Sequence, residues 1–220
     1  MNFLRLLPLV FVLSFARADD RVTGSEKWES EIAAFEAADR AKPPEKGGIV
    51  FVGSSSIRLW KTLAQDFPEQ RVLNRGFGGS EIADATFFAE RIVIPYAPRM
   101  VVLYAGGNDL NAGKSTEQVI ANFKMFAAKI CEKLPDTTIA YISIAGNPAR
   151  WAQVEKVKTV NAAIEAWIGE QPRMKFINVF PHMMGADGLP KPEIFVEDKL
   201  HMNAAGYAIW KEVVGPFLKE

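Results

Sequence analysis

Three consecutive serines, Ser54, Ser55 and Ser56, follow an apolar stretch at residues 49–52 and Gly53. A serine at this place can cap the helix that follows, and that interpretation suffices for any one of them. A serine hydroxyl can also attack a carbonyl carbon when an imidazole accepts its proton. Because three hydroxyls exceed what a cap needs, this segment is a candidate for nucleophilic chemistry.

The chain contains two histidines that could act as the base. Asp198 precedes His201 by three residues, and a carboxylate there can orient the imidazole so that its other nitrogen accepts a serine proton. His182 has no carboxylate just before it, and we expect it to be structural. The D-x-x-H spacing is a weak signal alone, and its weight comes from its occurrence with the other motifs.

Two glycine-rich segments, NRGFGGSE at residues 74–81 and AGGNDL at residues 105–110, could supply hydrogen-bond donors. Their glycines allow tight turns and bring backbone N–H groups close to a substrate. Such groups, together with the Asn108 amide, could bind the negative oxygen of a tetrahedral intermediate, each contributing roughly 10²–10³ in rate. The alternative is that these glycines serve turns alone.

Three other site patterns fail on spacing. The G-x-S-x-G nucleophile elbow requires a glycine where Ile57 stands. A phosphate-binding loop ending in Lys114 and Ser115 requires a glycine at Asn108, and a dinucleotide fingerprint requires one at Glu81. Nucleotide binding is therefore disfavoured.

The single cysteine, Cys131, lies within an apolar helical pattern and has no partner for an intramolecular disulfide. We expect it to be a buried core thiol. With only His182 and His201 beside it, the chain has too few soft ligands for a zinc site. The sequence therefore predicts no metal site, and any chemistry must come from oxygen and imidazole groups.

The first residues are typical of a secretory signal peptide. Arg5 precedes an apolar run at residues 6–15, and small residues at 16 and 18 predict cleavage after Ala18. Residues 19–220 would then form one domain, secreted or periplasmic, although a buried first helix is the alternative. The run is too short for a permanent span, so no stable membrane insertion is expected.

Charge excludes one further class of partner. Removal of Arg5 and Arg17 with the signal segment would change the net charge from 0 to −2. The sequence therefore predicts no basic surface for nucleic acid or an anionic membrane.

Short β-rich runs alternate with helical patterns, which predicts an α/β fold with a parallel sheet covered on both faces. The predicted strands occupy residues 48–52, 71–74, 100–105, 138–144 and 175–180. An amphipathic helix over residues 25–40 precedes them, with Trp28, Ile32 and Phe35 on one face. The later helices have apolar positions at Val119, Ile120, Phe123, Phe126, Ile130 and Leu134, at Val157, Val160, Ile164 and Trp167, and at Ala205, Ile209, Val213 and Phe217. Ser115 and Gln118 form a predicted capping box.

Taken in order, FVGSSS, NRGFGGSE, VLYAGGND and DKLH resemble the sequence blocks of the SGNH hydrolases, also called GDSL-like lipases and acylhydrolases. Within that family the chain is most similar to the branch related to platelet-activating-factor acetylhydrolase catalytic subunits. The blocks span residues 51–201. The resemblance implies a three-layer α/β/α sandwich with a five-stranded parallel sheet, flavodoxin-like in plan, and a serine ester hydrolase that needs no cofactor.

The same resemblance implies roles for individual residues. Ser55 matches the nucleophile, and Asp198 and His201 match the acid and base. Ser55, Gly79 and Asn108 match the donors of the oxyanion hole. Ser54 stands where the family usually has Asp, which bears on the contacts that fix this turn.

We expect a secreted esterase that cleaves short-acyl esters, acetyl foremost, on a small molecule or carbohydrate through an acyl-Ser55 intermediate. A lysophospholipase or thioesterase of the same family is one alternative, and a non-catalytic carbohydrate-binding module is another. Candidate substrate-lining residues are Phe77, Asn147, Trp151, Phe195 and Met202, with loop packing as the alternative for each. The sequence leaves the oligomeric state open.

Overall fold

The computed structural model describes residues 25–219, so the predicted signal segment lies outside the described residues. Five parallel strands form one sheet in the order β2-β1-β3-β4-β5. The strands are β1 Ile49–Gly53, β2 Val72–Gly76, β3 Met100–Tyr104, β4 Thr138–Ile142 and β5 Met174–Ile177. The predicted five-stranded parallel sheet is confirmed, although β2 extends further than predicted and β5 ends earlier.

Eight helices connect and flank these strands within residues 25–219. They are α1 Glu29–Ala41, α2 Ser55–Leu59, α3 Leu63–Asp66, α4 Ile82–Ile92, α5 Gly107–Asn111, α6 Thr116–Lys133, α7 Val154–Gly169 and α8 Ala204–Val214. The first of them is preceded by a 3₁₀ turn at Ser25–Trp28. The capping box predicted at Ser115 and Gln118 is confirmed at the start of α6.

Alternate residues of the strands face two separate hydrophobic cores. Val50 and Val52 of β1 belong to the core beneath α1, α4, α6 and α7. Ile49 and Phe51 belong to the core beneath α2, α3 and α8. Because successive side chains of a strand point to opposite faces, this alternation gives the three-layer α/β/α sandwich that the resemblance implied.

The buried face of α8 differs from the predicted one. Tyr207, Trp210 and Val214 are buried, whereas Ala205 is exposed. The predicted positions at Ile209, Val213 and Phe217 are only partly buried against the second core. The aromatic rings of Tyr207 and Trp210 contact each other and Trp60, and burial of these larger surfaces determines which face packs inward.

The prediction of a buried thiol at Cys131 is wrong, because the residue is exposed. The inward face of α6 is formed by Val119, Phe123, Phe126 and Ile130. Cys131 follows Ile130 by one residue, a rotation of about 100° around the helix, and this rotation carries it away from the core.

The carboxyl ends of β1, β2 and β3 lie at one level. Gly53 is in register with both Gly76 and Tyr104, so the loops that follow these strands leave the sheet side by side. Connections from β1 and β3 also diverge here to opposite sides of the sheet, which is where open α/β sheets bind ligands. Gly53 is required at this point, since its φ is 136° and an added Cβ would lie 2.0 Å from the Tyr104 carbonyl oxygen.

Candidate active site

Ser55 is the first residue of α2, immediately beyond the end of β1. The turn into this helix is held by the backbone of Ser54, whose N–H donates to the Tyr104 carbonyl at 3.0 Å. The Ser54 carbonyl accepts from the N–H groups of Ile57 and Arg58 at 3.0 and 3.1 Å. The Ser54 side chain makes no capping hydrogen bond, so backbone contacts define this turn where the family usually has Asp.

His201 and Asp198 lie in a tight turn before α8. Phe195 and Met202 pair across it as an antiparallel bridge, and the Val196 N–H donates to the His201 carbonyl at 2.8 Å. Within the turn Lys199 adopts a left-handed conformation with φ of 57°. This local geometry brings the carboxylate and the imidazole onto the same side of the turn.

A continuous chain of hydrogen bonds joins Ser55, His201 and Asp198. The Ser55 Oγ lies 2.8 Å from Nε2 of His201, and Nδ1 of the same ring lies 2.6 Å from Oδ2 of Asp198. With Nδ1 facing a carboxylate, Nε2 is the nitrogen that can accept a proton from the hydroxyl. The structure thus brings together the three residues that the sequence predicted for this chemistry.

The contacts of Asp198 stabilise its ionised form. Its Oδ1 accepts from the backbone N–H groups of Leu200 and His201, each at 2.9 Å. The hydrogen bond from the His201 N–H is the main reason that the pKa of Asp198 falls to about 2, and the imidazole and the Leu200 N–H lower this pKa further. His182, by contrast, is exposed in a 3₁₀ turn and does not line the cleft at Ser55.

Gly79 lies in the loop after β2 with a positive φ of 74°. A Cβ at this position would also approach the Trp28 ring to 3.2 Å, so the backbone requires glycine. Its N–H has no hydrogen-bond partner among residues 25–219. Ser55, as the first residue of α2, likewise has an N–H without an acceptor inside its helix. Both groups are available as donors.

The Asn108 side chain is held from both ends. Its Nδ2 donates to the Ser80 carbonyl at 2.9 Å, and its Oδ1 accepts from Nη1 of Arg150 at 3.0 Å. Arg150 has only donors and a carbonyl only accepts, so these partners fix which end of the amide is nitrogen. One of the two Nδ2 hydrogens is left for another acceptor.

Asp109 follows Asn108 in the chain and anchors this segment of α5. It is fully buried, and its carboxylate accepts from the Ile82 N–H at 3.2 Å and lies 3.7 Å from Nζ of Lys114. Lys114 also pairs with Glu81, the residue before α4. Burial raises the pKa of Asp109, and the nearby Lys114 partly offsets this effect. These contacts join α5 to the start of α4 and thereby position the loop that carries Gly79.

A cleft with a cavity volume of about 40 Å³ opens beside Ser55 and His201. Of the residues predicted to line a substrate, Asn147, Phe195 and Met202 do line this cleft. Trp151 lines an adjoining cavity of about 20 Å³.

Phe77 does not line the cleft, and this part of the prediction is wrong. Its side chain is fully buried in the first core and makes edge contacts with the rings of Trp28 and Phe88. The glycines on either side of Phe77 let the loop backbone turn while the aromatic ring packs inward.

Sequence reasoning missed several cleft residues, of which Tyr104 and Arg150 carry polar side chains. Tyr104 ends β3, and its position just before the AGGNDL segment was a usable signal. Arg150 is 42 residues from Asn108 along the chain. No sequence pattern indicates that contact, because it depends on how the loop after β4 folds back over α5.

Residues 25–219 form neither a metal-binding cluster nor a membrane-spanning helix. This part of the chain contains no group of three or more His, Cys, Asp or Glu side chains arranged to hold a metal ion. None of its helices has the length and apolar character needed to cross a membrane.

Comparison with known proteins identifies relatives over most of the chain. The model of the GDSL-like lipase/acylhydrolase family matches residues 48–209. Human platelet-activating factor acetylhydrolase IB subunit alpha1 is 28% identical over 199 residues, covering 84% of this chain and 80% of the relative.

Two solved structures have a similar fold. A GDSL-like lipase from Bacteroides thetaiotaomicron superposes with a TM-score of 0.70 at 21% identity, over 89% of this chain and 97% of that one. A carbohydrate esterase family 3 protein from Talaromyces cellulolyticus gives a TM-score of 0.61 at 16% identity, over 78% and 96%. At these identities the structural likeness establishes the fold.

Proposed function

We propose that Ser55 is the nucleophile of this chain. The chain belongs to the GDSL-like lipase/acylhydrolase family and is a carboxylic ester hydrolase. His201 is the general base, and Asp198 orients the imidazole. The observation that carries this assignment is the unbroken hydrogen-bond chain from the Ser55 Oγ through His201 to Asp198, at 2.8 and 2.6 Å.

In the first half-reaction the Ser55 Oγ attacks the ester carbonyl carbon while Nε2 of His201 accepts the hydroxyl proton. The tetrahedral intermediate collapses by breaking the bond to the alcohol oxygen, and that oxygen takes the proton from Nε2. The alcohol leaves, and the acyl group remains bound to Ser55. Asp198, ionised throughout, stabilises the positive imidazole that exists between the two proton transfers.

In the second half-reaction a water molecule attacks the acyl carbon as Nε2 takes one of its protons. Collapse of this intermediate breaks the bond to Ser55, and the proton returns to the Oγ. The carboxylic acid leaves, and the enzyme regains its starting state. His201 therefore acts once as base and once as acid in each half-reaction.

The negative oxygen of both intermediates is bound, in this proposal, by the N–H groups of Ser55 and Gly79 and by the free hydrogen of the Asn108 amide. The fixed orientation of Asn108, between Ser80 and Arg150, supports its role, because a donor already in place needs no reorganisation during reaction.

We propose a short acyl group, acetyl foremost, and a carbohydrate or small-molecule alcohol as the substrate. The compact cleft supports the short acyl group. The similarity to the acetylhydrolase subunit supports the acetyl group. The similarity to the carbohydrate esterase supports a carbohydrate as the alcohol. A lysophospholipase or thioesterase activity is the second candidate, supported by the family description, which includes lipases and acylhydrolases.

We further propose that the protein is exported and loses residues 1–18. The support is the basic residue, apolar run and small residues at its amino terminus. Amino-terminal sequencing of protein recovered outside the cytoplasm should give Asp19 as the first residue.

Hydrolysis of 4-nitrophenyl acetate by the purified protein tests the proposed function. We expect turnover that is lost in Ser55→Ala, and a steep fall in kcat/KM from the acetyl to the octanoyl ester. Rates that rise with chain length would favour the lipase or thioesterase candidate. If Ser55→Ala retained the wild-type rate, the nucleophile assignment would be wrong, and absence of turnover in a folded wild type would favour a binding module.

A further inference from the structure

Arg150 is a charged residue in the wall of the cleft at Ser55. It lines both this cleft and the adjoining cavity that contains Trp151. Among the described residues that line the cleft none is Asp or Glu. Arg150 therefore contributes a positive charge to a surface that holds no negative side chain.

The hydrogen bonds of Arg150 use only part of its guanidinium. Nη1 donates to the carbonyl oxygen of Gly107 at 3.1 Å and to Oδ1 of Asn108 at 3.0 Å. A guanidinium has five N–H donors, of which Nη1 carries two. The other three, on Nε and Nη2, have no partner among residues 25–219.

Arg150 also has no ion-pair partner in this part of the chain, whereas two other arginines of the fold, Arg75 and Arg91, do. Arg75, which is buried, pairs with Asp39, and Arg91 is held by Glu29 and Glu36. Arg150 is about half-buried, and burial lowers its pKa because the charged form loses solvation. A partly desolvated cation without a counter-charge is costly, and a bound anion would remove that cost.

We propose that Arg150 binds a carboxylate of the substrate, so that the ester cleaved at Ser55 carries an anionic group near the scissile bond. This inference rests on the proposed function. The free edge formed by Nε and Nη2 has the parallel donors that bind a carboxylate with two hydrogen bonds.

The position of Arg150 limits how far this carboxylate lies from the reacting carbonyl. The Asn108 amide contacts Arg150 through Oδ1 and is assigned to the oxyanion through Nδ2. The anionic group and the scissile carbonyl are thus separated by about one amide side chain. Tyr104 lines the same cleft, and burial raises the pKa of its hydroxyl.

The competing role for Arg150 is purely that of a positioning residue for Asn108. The two roles differ in one measurable respect. Loss of positioning lowers turnover of neutral and anionic esters by the same factor, whereas loss of a carboxylate contact lowers turnover of the anionic ester more.

Two matched ester pairs separate these roles and locate the carboxylate. On the alcohol side the pair is 4-acetoxybenzoate and its neutral methyl ester. On the acyl side the pair is 4-nitrophenyl hemisuccinate and 4-nitrophenyl butanoate. The measurement is kcat/KM for each ester with the wild type, Arg150→Met and Arg150→Lys.

We expect Arg150→Met to lower kcat/KM for the anionic member of one pair by roughly 10- to 100-fold more than for its neutral partner. Arg150→Lys should recover part of this difference, because it keeps the charge but not the two-donor fork. Equal losses within both pairs would overturn the proposal and leave positioning as the role. If no ester is hydrolysed by the wild type, it is instead the proposed function that fails.

Inhibition of the wild type supplies a test that does not depend on folding of a variant. Benzoate or succinate should inhibit 4-nitrophenyl acetate hydrolysis competitively at constant ionic strength, and more strongly than inorganic phosphate. Stronger inhibition by phosphate would overturn the carboxylate assignment. Inhibition by none of the three anions would overturn the anion site itself.

Discussion

Asp198 and His201 reach Ser55 from an exposed turn, whereas Asn108 lies in the cleft wall on buried supports. The Asp198 side chain is 47% exposed, and the contacts that orient it come from residues two and three positions away. Asp109, which follows Asn108 in the chain, is 0% exposed and contacts another helix. The base side of the site, Asp198 and His201, is thus oriented by contacts close in sequence and is exposed to solvent. The donor side, Asn108 and the neighbouring Asp109, depends on tertiary packing.

This difference separates activity from stability. Side chains on the base side can be removed without leaving a buried group unpaired, so their loss should mainly affect chemistry. Supports on the donor side satisfy buried backbone groups, so their loss should affect folding as well. The predictions below test this separation.

The largest expected effect is on the base. His201→Gln should lower kcat for acetyl-ester hydrolysis by about 10⁴-fold or more, because no group then takes the Ser55 proton. Steady-state kinetics at pH 8 measures this, with His182→Gln as the matched control at wild-type rate. Retention of a tenth of the activity by His201→Gln would remove His201 from the mechanism.

The donor side should give a smaller loss. Asn108→Ala should lower kcat by about 10²–10³ with little change in KM, since the amide stabilises charge that develops only in the transition state. Asn111→Ala, an exposed residue of the same short helix α5, is the control. An increase in KM at unchanged kcat would show that Asn108 binds substrate and not the oxyanion.

The pH dependence of kcat/KM should show a single acid limb, from protonation of the base. A protonated imidazole cannot accept the Ser55 proton, so kcat/KM should fall on acidification, with a limiting slope of about tenfold per pH unit. The pKa of Asp198 is about 2, so Asp198 should add no second acid limb above pH 4. A profile that is flat down to pH 5, in protein shown by circular dichroism to be folded, would contradict the role of His201.

The smallest expected effect is on the free energy of unfolding, which should differ between variants of the two sides. Asp109→Ala should lower the free energy of unfolding by about 1–3 kcal/mol, because the Ile82 N–H loses its buried acceptor. Asp198→Ala should lower it less, by up to about 1 kcal/mol, because water can replace the carboxylate at the Leu200 and His201 N–H groups. Urea unfolding of the two variants beside the wild type makes the comparison, and equal losses would mean that the two sides are not held differently.

The same difference explains what could be predicted from sequence. Ser55, Asp198 and His201 could be identified because each depends on a short segment: a strand followed by a turn, or two residues three positions apart. The parallel sheet could be predicted because its buried strands are continuous apolar runs.

The donor side could be predicted only in part. Glycine and asparagine in the loops after β2 and β3 indicated donors, but neither Arg150 nor the buried role of Asp109 could be inferred from spacing. The position of Phe77 in a loop at this edge of the sheet predicts that it lines the cleft, yet its ring packs into the core. For Cys131 the apolar pattern was correct, and a one-residue difference in phase placed the side chain in solvent.

Mass spectrometry of the protein after reaction with a fluorophosphonate tests the assignment of Ser55 most directly. The account predicts one adduct, on the peptide that contains Ser55, which is absent from Ser55→Ala and kept in Ser56→Ala. An adduct on another serine, or no adduct on folded protein that hydrolyses acetyl esters, would contradict it.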